Sequence, residues 1–250
     1  MTDFASSVNA KNPNIVSRQE WLVARKKLLE KEKEFSHLRD RFTAEQRALP
    51  WVKIEKDYVF EGPGGKESLA DLFEHRSQLI IYHFMFAPDW KEGCEGCSFL
   101  ADHFDGANLH LANHDVTLVA VSRAPWQKFQ AYKQRMDWQF KWVSSYGSDF
   151  NYDFHVTPTT EEINARRYFY NYQYQDGEAG ESHGLSVFYK NDAGEIFHTY
   201  SSYARGADIL INTYNFLDIT PKGRNEDGVM DWMRRHDEYD AVKKKGDCCH

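Results

Sequence analysis

Cysteine is scarce in this chain, with 4 in 250 residues. That is too few for the disulfide framework of a small secreted domain, and the length makes such a staple unnecessary for building a core. Basic charge is also short. Lys and Arg total 31 against 38 Asp and Glu, a net charge of −7. No basic surplus is available to neutralise phosphates, so nucleic acid is not expected as a partner. No run of 18 apolar residues occurs, so no segment is expected to span a membrane. Met1 to Asn14 is polar and lacks the apolar core of a secretory signal. With so little cysteine, these features point to a cytoplasmic, reducing compartment. There is no internal repeat or low-complexity segment.

The hydrophobic share is 41% and the aromatic share 15%, a globular composition. Ser17-Arg18-Gln19-Glu20 is a capping box. Behind it Trp21, Leu28, Phe35, Leu38 and Phe42 form the stripe of an amphipathic helix over about 18–40. The Lys, Glu and Arg around that stripe read as a solvated face. Thr43-Ala44-Glu45-Gln46 reads as a second box opening a short helical turn that Pro50 stops. Val52, Ile54, Tyr58 and Phe60 alternate as half-buried strands, followed by a turn at Gly62-Pro63-Gly64-Gly65. Ser68 can cap a short helix carrying Leu69, Leu72 and Phe73.

From residue 78 the pattern becomes strand, helix, strand, helix. Leu79 to Phe86 and Val116 to Val121 read as strands buried on both faces. Helices are expected at about 97–112 and from Pro125. Phe140 to Ser144 reads as a short, possible edge strand. Residues 147–182, polar and aromatic without a clear period, read as a long insertion whose Tyr168–Tyr172 run suits a strand or a lid. Leu185–Lys190 and Glu195–Ser201 flank a turn as a hairpin. A helix is expected at about 206–217 and an amphipathic stretch from Val229 to Tyr239. The order implies an α/β fold, a mixed sheet flanked by helices. Three regions follow: a helical extension over 1–50, the main domain over 51–220, and a C-terminal extension and tail over 221–250.

Cys94-Glu95-Gly96-Cys97 sits between the first buried strand and the helix after it. At a helix start, unpaired N–H groups and the dipole favour a thiolate, the nucleophile of disulfide exchange. Cys94 would attack and Cys97, one turn inside, would resolve. The same spacing also suits an inert buried pair, or half of a metal site. A structural zinc needs four ligands, and only Cys248, Cys249 and His250 at the far terminus could complete one. These read as adventitious tail residues, so no metal and no cofactor is expected. His103 and His110, seven residues apart, read as packing or surface residues. Asp89, Glu92 and Glu95 crowd the Cys94 loop with only Lys91 to offset them. This predicts a Cys94 pKa nearer about 7–8.5 than the about 3.5 of strong oxidants.

The glycine turn lacks the Lys-Ser/Thr of a phosphate loop, and no Gly-x-Ser-x-Gly elbow is present. The element order from residue 51, with CxxC at the first core helix, resembles the thioredoxin fold in its peroxiredoxin-like form. More narrowly, the chain resembles a mainly bacterial family, domain of unknown function 899. The matching segments are Trp90–Ser98, Val121–Pro125, Phe197–Ser201 with Arg205-Gly206, and Thr220–Arg224. The resemblance covers roughly residues 15–240 and implies a thioredoxin-like (peroxiredoxin-like variant) fold with an N-terminal helix and an aromatic insertion. Some positions depart from active thioredoxins. Trp90 lies three residues further back than their Trp, and Ser182-His183-Gly184 stands where they have a proline before the hairpin strand. Lys91 stands three before Cys94, where peroxiredoxins have Thr or Ser.

In such a fold the turn before the hairpin strand faces the cysteine pair, which makes His183 a candidate to donate to the Cys94 thiolate or shuttle its proton. The expected activity is thiol-disulfide exchange with a protein or small-molecule disulfide. The alternatives are a non-catalytic binding protein, its pocket lined by the aromatic insertion, or a peroxidase acting through Cys94.

Overall fold

The computed structural model describes residues 13–239, so Cys248, Cys249 and His250 lie outside the described residues, as does most of the polar N-terminal stretch. Two compact units are present. One comprises residues up to Pro50 together with Thr213–Asn225, and the other Trp51–Asn212 together with the segment from Glu226.

In the first unit, α1 (Arg18–Arg47) is a single 30-residue helix opened by the expected Ser17/Glu20 capping box. It runs straight through the second box. The Thr43 hydroxyl donates to the Asp40 carbonyl, back along the helix, so it caps nothing. No residue of α1 is buried.

The second unit is built on an eight-stranded sheet with the order β1-β10-β9-β4-β5-β6-β2-β3. Its strands are β1 (Val52–Lys53), β2 (Val59–Gly62), β3 (Gly65–Ser68), β4 (Gln78–His83), β5 (Val116–Ser122), β6 (Lys141–Ser144), β9 (Gly184–Lys190) and β10 (Ile196–Tyr203). Strands β7 (Arg167–Tyr170) and β8 (Gln173–Asp176) form a separate hairpin. Parallel pairing joins β4 to β5 and β5 to β6, and β9 and β10 continue the sheet antiparallel from β4. Taking β4, β5, β9 and β10 as core strands one to four gives the order 4-3-1-2, the thioredoxin-like arrangement that the resemblance implies. β6 lies between β5 and β2, not at an edge. Its Trp142 and Val143 are fully buried, which its two flanking strands require.

The connections supply the layers. The helix expected at 97–112 is two helices, α2 (Glu95–Ala101) and α3 (Phe104–Ala112). The break sits where two carboxylates turn toward the loop before β6. Asp102 accepts from the Trp138 indole at 2.8 Å, and Asp105 accepts the Gln139 and Phe140 amides at 2.9 and 2.7 Å. α4 (Trp126–Arg135) packs Phe129 and Tyr132 inward. The 147–182 insertion holds α5 (Phe150–Asp153), α6 (Thr160–Ala165) and the β7–β8 hairpin, whose turn at Asn171-Tyr172 has both φ values positive. It is pinned by Glu181, a buried carboxylate that accepts from Arg123 at 2.7 Å and Thr157 at 2.8 Å. In place of the helix expected at 206–217, a 3-10 turn (Ala204–Leu210) precedes α7 (Asn212–Asp218), with Ile211 out of helical geometry between them.

One face of the sheet carries Leu79, Ile81, Val119, Val121, Phe150, Phe154 and Phe188 as a continuous core. Alternation along β4 sends Tyr82 to the opposite face, against Phe84 and Phe104.

Candidate redox site at the start of α2

Cys94 is the N-cap of α2, with extended backbone (φ −54°, ψ 133°). Its amide donates to the Met85 carbonyl at 3.1 Å, just past β4, and the Met85 amide donates to Cys97 Sγ at 3.5 Å. One residue at the strand end thus holds both cysteines. The Cys94 carbonyl accepts from the Ser98 amide at 2.9 Å and the Ser98 hydroxyl at 2.8 Å.

The two cysteines differ in exposure. Cys94 is partly accessible, whereas Cys97 is 1% exposed. Both are free thiols. The Cys97 thiol hydrogen-bonds Cys94 and holds its pKa down to about 6. Burial opposes this, the amides of Cys97 and Gly96 add to it, and the Glu95 charge works against it. Cys97 is pushed well up, first by burial and then by the neighbouring Cys94 sulfur. The expectation of about 7–8.5 for Cys94 is therefore corrected.

Two things outweigh the local carboxylates. Hydrogen bonds reach the sulfur directly, and two of the three carboxylates, Glu92 and Glu95, are themselves paired. Arg235 lies 3.2 Å from Glu95 and 3.4 Å from Glu92, and Arg135 also pairs with Glu92. Arg235 comes from the C-terminal segment, 140 residues beyond Glu95 in sequence. It also donates to the Tyr132 hydroxyl at 3.0 Å, and Tyr132 lies 2.8 Å from the Ser98 hydroxyl. Because the arginine can only donate and Ser98 donates to Cys94, the chain of donors runs Arg235, Tyr132, Ser98, Cys94 carbonyl.

Below the pair, the buried Tyr82 hydroxyl hydrogen-bonds Cys97. Gly93 allows the loop to sit this low. A Cβ there would stand 2.7 Å from Phe84 and 3.0 Å from Tyr132. Over α2 lies the segment from Glu226. Met230 Sδ is 3.2 Å from where a Cβ on Gly96 would be, and Trp232 stacks edge-on against Phe99 at 5.7 Å.

His183 precedes Gly184, which pairs with His83 at the end of β4 from which the cysteine loop leaves. Its Nε2 lies 3.1 Å from the Ala204 carbonyl, so Nε2 carries the proton. Burial lowers its pKa, against the Ala204 hydrogen bond and the Asp208 charge, and the ring is neutral. The His183 carbonyl accepts from Tyr170 at 2.7 Å, and Tyr170 accepts from the Ala204 amide at 2.9 Å. Cys94 and Cys97 are thus brought together. His183 is anchored in the turn at the same sheet end, with its hydrogen bond directed to Ala204.

Sequence reasoning missed Tyr82, Tyr132, Ser98 and Arg235. Only Tyr82 left a signal, a phenol inside a doubly buried strand that must find a partner for its hydroxyl. Among the described residues no group of three or more His, Cys, Asp or Glu is placed to hold a metal ion, and no helix is long and apolar enough to cross a membrane. Clefts of about 580 Å³ (around Arg76, Lys133 and Lys141) and about 500 Å³ (around Tyr58 and Tyr146) include neither the cysteines nor the Tyr168–Tyr172 run.

Solved structures similar to this chain include peroxiredoxin Q of Xanthomonas campestris, at 16% identity and TM-score 0.40 over 62% of this chain and 88% of that one. Another is peroxidoxin BcpB of Mycobacterium tuberculosis, at 14% identity and TM-score 0.39 over 66% of this chain and 95% of that one. A third is PrxQ of Xylella fastidiosa, at 13% identity and TM-score 0.39 over 64% of this chain and 88% of that one. No curated protein matches the chain significantly. The model of one family, described as bacterial protein of unknown function (DUF899), matches residues 10–239, and the chain belongs to that family.

Proposed function

We propose that the protein is a thiol-disulfide oxidoreductase working through Cys94 and Cys97. The observation that carries this reading is the asymmetry of the pair. One partly exposed cysteine at a helix start has its pKa drawn down to about 6, and its neighbour is buried with its pKa pushed up. Near neutral pH the first is largely thiolate and the second a thiol, which is the division of labour that exchange requires.

The Cys94 thiolate attacks one sulfur of a substrate disulfide, and the other sulfur leaves as a thiolate that takes a proton from solvent. Cys97 then gives its proton to solvent and attacks Cys94 Sγ. The second substrate thiolate departs, and a Cys94–Cys97 disulfide remains. Substrate gains two electrons and the pair loses two. As Cys97 gives up its proton, the Tyr82 hydroxyl donates to the developing thiolate. Within this reading a neutral His183 can move a proton only through Nδ1, because Nε2 is held by Ala204. His183→Ala should change exchange rates far less than Cys94→Ser, which should abolish exchange.

The test is mass spectrometry after mild oxidation and after mixing with a disulfide. The expected results are loss of two hydrogens within the peptide bearing both cysteines, and a trapped mixed disulfide on Cys94 in Cys97→Ser. Free thiols at both positions after oxidation would overturn the reading.

A further inference from the structure

The apolar stripe of α1 takes no part in that chemistry. Trp21, Leu28, Phe35 and Phe42 recur every seven residues, with Ala24 and Leu38 three positions after the first and third. In heptad terms the four large side chains hold position a, and Ala24 and Leu38 hold d. Yet all the large ones are open to solvent. Leu28 is 52% exposed and Phe35 66%. A monomeric protein rarely leaves such a stripe bare along a long helix. Four heptads are also enough to sustain a coiled coil.

The flanking charges indicate what covers it. In the first three sets position g is held by Glu20, Lys27 and Glu34 and position e by Arg25, Glu32 and Arg39; the last set has Arg41 and Gln46. In a parallel, in-register pair of identical helices, each g side chain meets the e side chain five residues further along the other copy. The meetings are Glu20 with Arg25, Lys27 with Glu32, and Glu34 with Arg39. All three are attractive, and two-fold symmetry repeats each one. The same alignment stacks every a residue on its own copy. An antiparallel pairing would set those bulky residues against the d positions, which include Lys31 and Glu45. Lys31 and, in the last heptad, Glu45 each face their own copy in the parallel pair, where Lys31 stands between two a layers. Its long stem can reach solvent there, which favours two strands over a larger, more enclosed bundle.

We propose that α1 pairs with α1 of a second copy as a parallel two-stranded coiled coil, making the protein a homodimer. The inference is independent of the redox reading.

The tests use the full chain with Cys94, Cys97, Cys248 and Cys249 all replaced by Ser. Light scattering coupled to gel filtration, at micromolar concentration, should give twice the chain mass. Phe35→Asp should give the single mass with unchanged circular dichroism, because Phe35 contacts solvent in the lone chain. Leu38→Cys should form an intermolecular disulfide on oxidation, since parallel register places the two copies of position 38 together. Glu34→Arg should weaken the dimer by about tenfold, and adding Arg39→Glu should restore it. A monomer at all concentrations, a dimer indifferent to Phe35→Asp, or a dimer in which Leu38→Cys does not cross-link would each overturn the proposal.

Discussion

Arg235 donates through Nη2 to the carbonyl of Gly93 at 3.0 Å, so a residue near the C-terminus holds the peptide immediately before Cys94. The side chain is only 11% exposed, and the other guanidinium nitrogens reach Tyr132, Glu95 and Glu238. A planar donor with five N–H groups suits this shared position, and lysine does not match it. Arg235 therefore both places the loop and offsets two carboxylates beside the sulfur. Arg235→Ala should raise the Cys94 pKa, because the Glu95 charge then acts on it unopposed. Arg235→Lys should restore part of that charge effect without restoring the loop. The pH profile of Cys94 alkylation measures the shift, and an unchanged midpoint in Arg235→Ala would show that the pairing has no effect on the sulfur.

The wild-type profile is itself a test. Alkylation of Cys94 should rise through a midpoint of about pH 6 and level off near neutrality, while Cys97 stays unreactive. Because the folded pKa is depressed, the thiolate's contribution to stability of the reduced form is full above the unfolded thiol's pKa, about 8.5. It is lost as pH falls through about 6. Stabilising the reduced form makes the pair more oxidising. Its potential, measured by equilibration against glutathione, should be less negative than roughly −270 mV. A midpoint at the free-cysteine value would sink this argument.

Tyr82→Phe separates the two steps of exchange. It removes the hydroxyl that donates to Cys97 and leaves the Met85 amide in place. The first attack, at Cys94, should be little affected. Resolution should slow several-fold, so a mixed disulfide should last longer in stopped-flow quenching. The lost hydrogen bond should cost about 0.5–1.5 kcal/mol of stability.

Much of the fold was legible in the sequence, because buried strands and capping boxes are local signals. Leu79 to Phe86 reads as a doubly buried strand, and β4 is one, although it ends at His83. The break between α2 and α3 was not legible. Leu100, Phe104 and Leu111, four and seven residues apart, keep a helical period across it, and its cause lies in Trp138, Gln139 and Phe140, far along the chain. The site divides the same way. The CxxC pair at a helix start is a local pattern. The pKa of Cys94 is not, since it depends first on the hydrogen bond from Cys97 and on burial, which only the folded chain sets. Local charge counting around the loop therefore gave too high a value.

Gly93 offers a steric test of the same loop. Gly93→Ala drives a methyl against Phe84 and Tyr132, both buried, and should cost about 1–3 kcal/mol in urea unfolding. Gly64→Ala is the control. A Cβ there meets nothing within 4 Å, and stability should change by less than about 0.5 kcal/mol.

The acid response should be set in part by His83, on the sheet face away from the cysteines. It is 1% exposed and lies between Phe150 and Phe154, with ring centroids 5.5 and 5.6 Å away. Nε2 lies 2.9 Å from the Ser186 hydroxyl, and Nδ1 has no partner. From Ser186 the hydrogen bonds continue to Ser201 at 2.8 Å and to His198 at 2.7 Å. Burial, together with repulsion from His198, lowers the His83 pKa to about 3. The unfolded chain protonates His83 near pH 6.5 and the folded chain only near pH 3. Between those values the unfolded state binds the extra proton. Stability is therefore full above about pH 6.5 and falls as pH drops toward 3, by up to about 1.4 kcal/mol per pH unit from this residue. His198, whose pKa is also lowered by burial, adds to the same trend. His83→Gln keeps a hydrogen-bonding side chain but cannot titrate. It should be less stable than the native protein at pH 7.5, and its stability should fall less steeply between pH 6.5 and 5. Urea midpoints at several pH values decide the matter. If the native protein and His83→Gln lose stability in parallel over that range, protonation of His83 is not what unfolds the protein in acid.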